Sequence, residues 1–423
     1  MIISKTKIIQ NFIVLSFIGL FIMLSTYHKV IYGDGVRPFY SMGLVVSLLL
    51  LIWYLFRSKL SRSIAVTMIV QPQILLFIFL LIYIMVSAIF ISSHVDGRQI
   101  KDHLYWSYWI IVVPLVPFYL VSRKINIDQV FSLLTKSIII FSVFSSIIAY
   151  LIFFNIITIS YGGLEWTQSV YLALRIHGIM GESTALGALL GLAYISVLYL
   201  KKQNDKSYKF LIIFLLVSIV ATGSRNTLLC ILIVHFIDFI TEKLDANKIF
   251  FYPFLAFLVM VILLVIFYVT GITDIIYVIY FDRPDLDLTN KFSRPYIWLT
   301  TIKMISMSSS LELLFGHGAS ELRRELSAGF NSILEITYDF GIILSFAYLL
   351  LFVLSFYISY IKYKSSNIYL YKYSCLILVY GFIFSLFMTY FPTVMFNFAS
   401  WGYVIGIWIS AVPVQMMIKL RHS

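Results

Sequence analysis

Apolar runs of bilayer-crossing length, separated by short basic connections, repeat from one end of the chain to the other. Runs of about 17 to 25 apolar residues suffice to span a hydrocarbon core. They fall near 8–27, 39–56, 74–92, 104–121, 132–154, 184–200, 208–223, 226–241, 250–270, 332–357, 373–389 and 399–416. The seventh and eighth are nearly continuous, broken only around Gly223-Ser224-Arg225-Asn226. The pattern predicts an all-α fold: a polytopic transmembrane bundle of about 12 helices, forming one integral membrane domain over residues 1–423. The first run follows Lys5 and Lys7 as a signal peptide would, but no small-residue cleavage site follows Leu24, so a retained first helix is expected. Two connections stand out, at 155–183 and at 271–331. The second, between the ninth and tenth spans, is far longer than ordinary connections, and such loops are usually functional. Within it Ile297, Trp298, Thr301, Ile302 and Ile305 recur at helical spacing. An amphipathic helix over Arg294–Met307, lying along the membrane surface, is the expectation, with Ser293 as its N-cap and Pro295 in its first turn.

Composition removes the soluble alternative. The chain of 423 residues is 61% hydrophobic and only 12% charged, with a mean hydropathy of +0.96, so it has too little polar surface for a water-soluble fold. Trp53, Tyr54, Trp106 and Trp109 sit at the ends of apolar runs, where aromatic rings favour the headgroup region. The net charge of +12 would suggest nucleic acid in a soluble protein. Here the cations lie between spans, where anionic lipid and the positive-inside bias account for them, and no nucleic-acid partner is expected. Placing the N-terminus inside puts Lys5, Lys7, Arg57, Lys59, Arg62, Arg123, Lys124, Lys201, Lys202, Lys243, Lys362, Lys364, Lys372, Lys419 and Arg421 on the cytoplasmic side. Both termini are then cytoplasmic, and the two long loops lie on the opposite face. Cys230 and Cys375 fall inside apolar runs without metal-ligand spacing, so neither a disulfide framework nor a metal is expected.

Charge at membrane depth marks a substrate path or a paired network. Arg225 lies in Ala221-Thr222-Gly223-Ser224-Arg225-Asn226-Thr227, at a turn between two spans where a guanidinium can face a cavity and backbone N–H groups favour an anion. It reads equally as a snorkelling arginine or as the partner of a carboxylate such as Glu182 or Asp339. Arg175 opens Arg175-Ile176-His177-Gly178-Ile179-Met180-Gly181-Glu182-Ser183, ahead of Ala185, Gly187, Ala188 and Gly191, whose small size suits close helix packing. Packing does not require Arg175. Arg294 stands at a helix start, unfavourable to the macrodipole unless an anion is bound there; a plain solvated cation is the bland alternative. His317, between Gly316 and Gly318, is an accessible base, with Glu321, Glu335 and Asp339 as rivals. Three arginines on the face of the long loop, with no nucleotide-binding motif, suit a lipid-linked diphosphate. Guanidinium grips phosphate bidentately, and a diphosphate leaving group needs no metal if arginines neutralise it.

At these residues the chain resembles the O-antigen polymerase and O-antigen ligase superfamily of bacterial inner-membrane glycosyltransferases. Residues 175–187 look like its Arg-x-x-Gly segment, and 222–229 like its Thr-x-Ser/Thr-Arg turn. Residues 293–302 look like its Arg-x-x-x-Trp helix, and 314–318 with 329–341 like its Gly-x-Gly and His-Asn-x-x-Leu segments. The resemblance implies a multi-pass protein of the bacterial inner membrane that acts at the periplasmic face on undecaprenyl-diphosphate-linked oligosaccharide repeat units, without a cofactor. It implies that Arg175, Arg225 and Arg294 hold the diphosphate and that Asn331, with His177, lines the site. The ligases carry His before the Asn, whereas this chain has Phe330, so a Wzy-type polymerase of lipopolysaccharide O-antigen biosynthesis is the expected activity. A chain-length regulator in the inner membrane is then a candidate partner. A ligase joining polymer to lipid A-core is the alternative within the family. A lipid-linked oligosaccharide flippase is the alternative outside it, though such transporters carry cations in a central cavity and lack one dominant outer loop.

Overall fold

The computed structural model describes residues 71–90, 127–157, 175–176, 183–204, 208–242, 294–318, 321–326, 331–387, 398–412 and 414. The described elements are all helical. In chain order they are α1 (Pro72–Phe90), α2 (Ile127–Phe153), α3 (Ser183–Asn204), α4 (Lys209–Ala221), α5 (Arg225–Glu242), α6 (Arg294–Met307), α7 (Ser310–Phe315), α8 (Glu321–Leu326), α9 (Ser332–Ser366), α10 (Tyr369–Ser385) and α11 (Phe398–Ala411). Eight expected spans coincide with a helix here: α1 to α5 and α9 to α11. The expected spans near 8–27, 39–56, 104–121 and 250–270 lie outside the described residues. Among the described residues, three helices are long and apolar enough to cross a membrane, at Phe131–Phe153, Ser183–Gln203 and Ser332–Ser366.

The side-chain pattern suits a lipid solvent. On α2, Ile140, Phe144 and Ile147 point outward while Ser137, Ser142, Ser145 and Ser146 are buried. On α9, Ile342, Phe346, Leu350, Val353 and Tyr357 form an outward stripe, whereas Ser345, Ser355 and Ser359 face inward. Small hydroxyls inside and large apolar groups outside reverse the soluble arrangement, because lipid offers no hydrophobic reward for burying a leucine. Most of the inward hydroxyls named here are satisfied locally or across helices, whereas those of Ser145 and Ser355 find no partner among the described residues. Ser137, Ser142 and Ser146 donate to carbonyls one turn back, and Ser359 meets Ser374 at 2.8 Å.

Helix α10 is the axis of the bundle, packed by α3, α5, α9 and α11. All its residues except Tyr369 and Ile383 are buried, as a helix apolar on every side requires. Its tyrosines tie it to α3: the Tyr380 hydroxyl donates to the Ala188 carbonyl at 2.8 Å, and Tyr373 meets Ser196 at 2.9 Å. These contacts make α3 and α10 antiparallel, so the start of α3, the α4–α5 turn, the start of α9 and the end of α10 share one end of the bundle.

The opposite end differs from the expected short basic loop. Lys362 and Lys372 lie within α9 and α10, and only Asn367 and Ile368 separate the two helices. Lys362 Nζ donates to the Ser410 and Val412 carbonyls at 2.6 and 2.9 Å, closing the C-terminus of α11. Lys372 is fully buried, 2.6 Å from Asp238 on α5 and over the Tyr363 and Tyr369 rings. Asp238→Ala leaves that ammonium buried without its carboxylate, which costs about 3 kcal/mol. Thermal unfolding in detergent should show this loss, and adding Lys372→Met should recover most of it.

Candidate functional site

Two clusters occupy the shared end of the bundle. The first is built on the α4–α5 turn. Thr222 closes α4, Gly223 turns the chain at φ +59°, and Arg225 opens α5. The Ser224 hydroxyl lies 2.9 Å from that of Thr227, tightening the first turn of α5. Ile176 donates its N–H to the Ala221 carbonyl at 3.2 Å, which lays the 175–176 segment along this turn. The Arg175 side chain then crosses Gly223, whose missing Cβ is needed: it would stand 2.9 Å from Arg175 Nε. Arg175 is 6% exposed, and its Nη1 points to the Ser183 hydroxyl at 3.4 Å. Gly187 admits the turn against α3, since a Cβ there would lie 2.7 Å from Ser224 and Thr227. Arg175 therefore lies against the turn that Arg225 follows, at the N-terminus of an 18-residue helix whose dipole favours an anion.

Arg294 opens α6, as the spacing predicts; Ser293, its expected cap, lies outside the described residues. The helix does not spread a uniform apolar face. Ile297 and Thr301 are buried, α6 packs on α9, and Leu299, Ile302 and Met307 face outward. Trp298 sits 6.2 Å from Phe387, just beyond α10, which puts Arg294 at the same end as the other two arginines.

The second cluster depends on a break in α9. Gly341 has φ +84° and ψ 172°, outside the helical region. The interruption frees nearby carbonyls from the helical ladder, and those of Tyr338 and Asp339 accept instead from the His317 and Gly318 amides, at 3.0 and 2.9 Å. Neither Gly316 nor Gly341 can carry a side chain here. A Cβ on Gly316 would overlap the Asp339 carbonyl, and one on Gly341 the Leu314 carbonyl. Thr337 and Ser345 bridge the break at 2.7 Å, and the Tyr83 hydroxyl reaches over from α1 to the Phe315 carbonyl at 3.3 Å.

The four candidate bases sort by environment. Asp339 and Glu335 are fully buried and Glu321 is 6% exposed. Asp339 Oδ1 accepts the Leu322 amide at 2.9 Å, holding the start of α8. His317 keeps a 21% exposed side chain, stacked on Tyr338 at 4.2 Å between ring centroids. Its Nε2 shares a 2.8 Å hydrogen bond with the Ser308 hydroxyl, which also lies 3.1 Å from the Met304 carbonyl. Its Nδ1 is 3.7 Å from Glu312 Oε1. Asn331 is the N-cap of α9: its Oδ1 accepts from Ile333 and Leu334 at 3.0 and 3.1 Å, a structural use sufficient to explain an asparagine there. His177 and Phe330 lie outside the described residues. Sequence reasoning missed Ser308, Glu312 and Gly341. The capping pattern Ser309-Ser310-Leu311-Glu312 was a readable signal for a helix start, but it says nothing of where His317 folds back.

Taken as a class, the described residues form an all-helical assembly with helices long and apolar enough to cross a membrane. Compared with known proteins, the chain matches no family model and no curated protein.

The glycine break should dominate the stability of this end. Gly341→Ala combines a positive φ with overlap on Leu314 and costs about 2–5 kcal/mol, whereas Asn331→Ala loses a cap worth about 1 kcal/mol. Thermal unfolding of both variants in the same detergent checks the order, and equal losses would contradict it.

Proposed function

We propose that this chain is a metal-independent membrane glycosyltransferase of the O-antigen polymerase type, moving a growing glycan from undecaprenyl diphosphate onto a new lipid-linked repeat unit at the periplasmic face of the inner membrane. The observation that carries the reading is the pairing of Arg175 with the Gly223 turn beside Arg225, at the N-terminus of α5. Two guanidinium groups and a helix dipole within one turn suit a diphosphate, and Arg294 enters at the same end of the bundle. Charge that develops on a departing diphosphate can be neutralised there without a metal. In this reading the acceptor hydroxyl attacks the anomeric carbon while the arginines retain the carrier. His317 is the accessible base among the four candidates.

The sugars are unspecified, but the reaction is testable in cells. Deleting the gene should leave single repeat units on lipid A-core. Complete absence of attached sugar, with long carrier-linked polymer accumulating, would instead establish a ligase. Purified protein that elongates lipid-linked repeats in detergent, with no bilayer, would exclude a flippase. Arg225→Ala and Arg294→Ala should abolish elongation at normal protein levels, and Arg→Lys at either place should also be damaging because bidentate contact is lost. Normal banding of surface polysaccharide in either alanine variant would refute the anchoring role.

A further inference from the structure

Glu312 is placed so that its two oxygens serve different partners. Oε2 accepts the Ser309 amide at 2.8 Å, completing a capping box in which the Ser309 hydroxyl accepts the Glu312 amide. Oε1 faces His317 Nδ1 across 3.7 Å. Hydrogen bonding from Ser309, its amide first, holds the Glu312 carboxyl below its ordinary pKa, so it is a carboxylate at neutral pH. A carboxylate 3.7 Å from Nδ1 favours the tautomer with its proton on that nitrogen, and Nε2 then accepts the single Ser308 hydroxyl proton at 2.8 Å in place of the Met304 carbonyl at 3.1 Å. Tyr338 fixes the ring plane by stacking, and the His317 amide is pinned to the Tyr338 carbonyl. The ring is thus fixed on both faces of its chemistry: a carboxylate behind, a hydroxyl in front.

We infer that Glu312 is the positioning residue of a general base, His317, whose Nε2 takes the proton of an acceptor sugar hydroxyl bound where the Ser308 hydroxyl now stands. This rests on the glycosyltransferase reading above. In the step, the acceptor O–H proton passes to Nε2 as its oxygen bonds to the anomeric carbon. The bond from that carbon to the diphosphate oxygen breaks, and its electron pair leaves with the carrier diphosphate. Glu312 stabilises the imidazolium through Nδ1–H until water takes the extra proton. Among the described residues, the ring stacks on Tyr338 of α9, which lies within electrostatic reach of Asp339 on α9 and of Glu321 and Glu325 on α8. Lys303 on α6 is the nearest cation in the chain sequence before Ser308 and is exposed.

Glu312→Gln separates this role from a structural one, because glutamine also completes a capping box while carrying no charge. Membranes bearing the full chain are supplied with lipid-linked repeat units extracted from cells lacking it, and elongation is followed against pH. His317→Ala should slow elongation about 10²–10⁴-fold and regain part of it with added imidazole. Glu312→Gln should slow it by at least about tenfold without changing KM for the glycolipid. A Glu312→Gln chain with the wild-type rate overturns this inference alone and leaves diphosphate anchoring intact. Failure of the wild-type chain to elongate the extracted repeats overturns the polymerase reading, and this inference with it.

Discussion

A backbone carbonyl released from its helix inside lipid has no water to turn to, and leaving it unpaired costs several kcal/mol. That constraint organises the end of the bundle where the candidate chemistry lies. Gly341 interrupts α9 within a segment long enough to cross a membrane, and the 316–318 strand of backbone comes in to satisfy the carbonyls so exposed. Two glycines are needed because two main chains approach more closely than any Cβ allows. The price of the break is therefore a fixed partner, and that partner carries His317. An unbroken α9 would offer no free carbonyl to the His317 amide.

The two ends of the bundle handle charge differently. At the Lys372 end the cations are consumed internally, Lys362 by the last carbonyls of α11 and Lys372 by Asp238 and two tyrosine rings. At the Gly223 end, Arg175 is laid over a glycine and against a turn that begins a helix, an arrangement that gathers positive potential. Asp339 accepts the Leu322 amide and so holds the start of α8 at this end.

Much of the architecture was legible in the chain itself. The runs that became α2, α3 and α9 are long and apolar enough that burial in lipid and internal hydrogen bonding leave only a helix, whatever their neighbours do. The turn at Gly223 was readable because Gly-Ser-Arg-Asn breaks an otherwise continuous apolar run, and the helix over Arg294–Met307 because its apolar residues recur at helical spacing. Gly187 and Gly191 were readable as packing positions, and they do face Ser224, Thr227 and Tyr380. Asn331 was readable as special, but its observed use is an N-cap.

What the sequence determined by itself is the local menu: which segments are helices, where they stop, and which cations stand at their ends. These follow from hydropathy, periodicity and capping, all of which act between residues close in the chain. Only the tertiary structure decided that Arg175 rests on Gly223, that Lys372 is buried against Asp238, and that His317 docks into a break in α9 with Glu312 behind it. Those choices join residues tens to more than a hundred positions apart or depend on a backbone interruption, and no pattern of neighbouring side chains encodes them. They are set by which carbonyls and charges remain unsatisfied once the helices have packed.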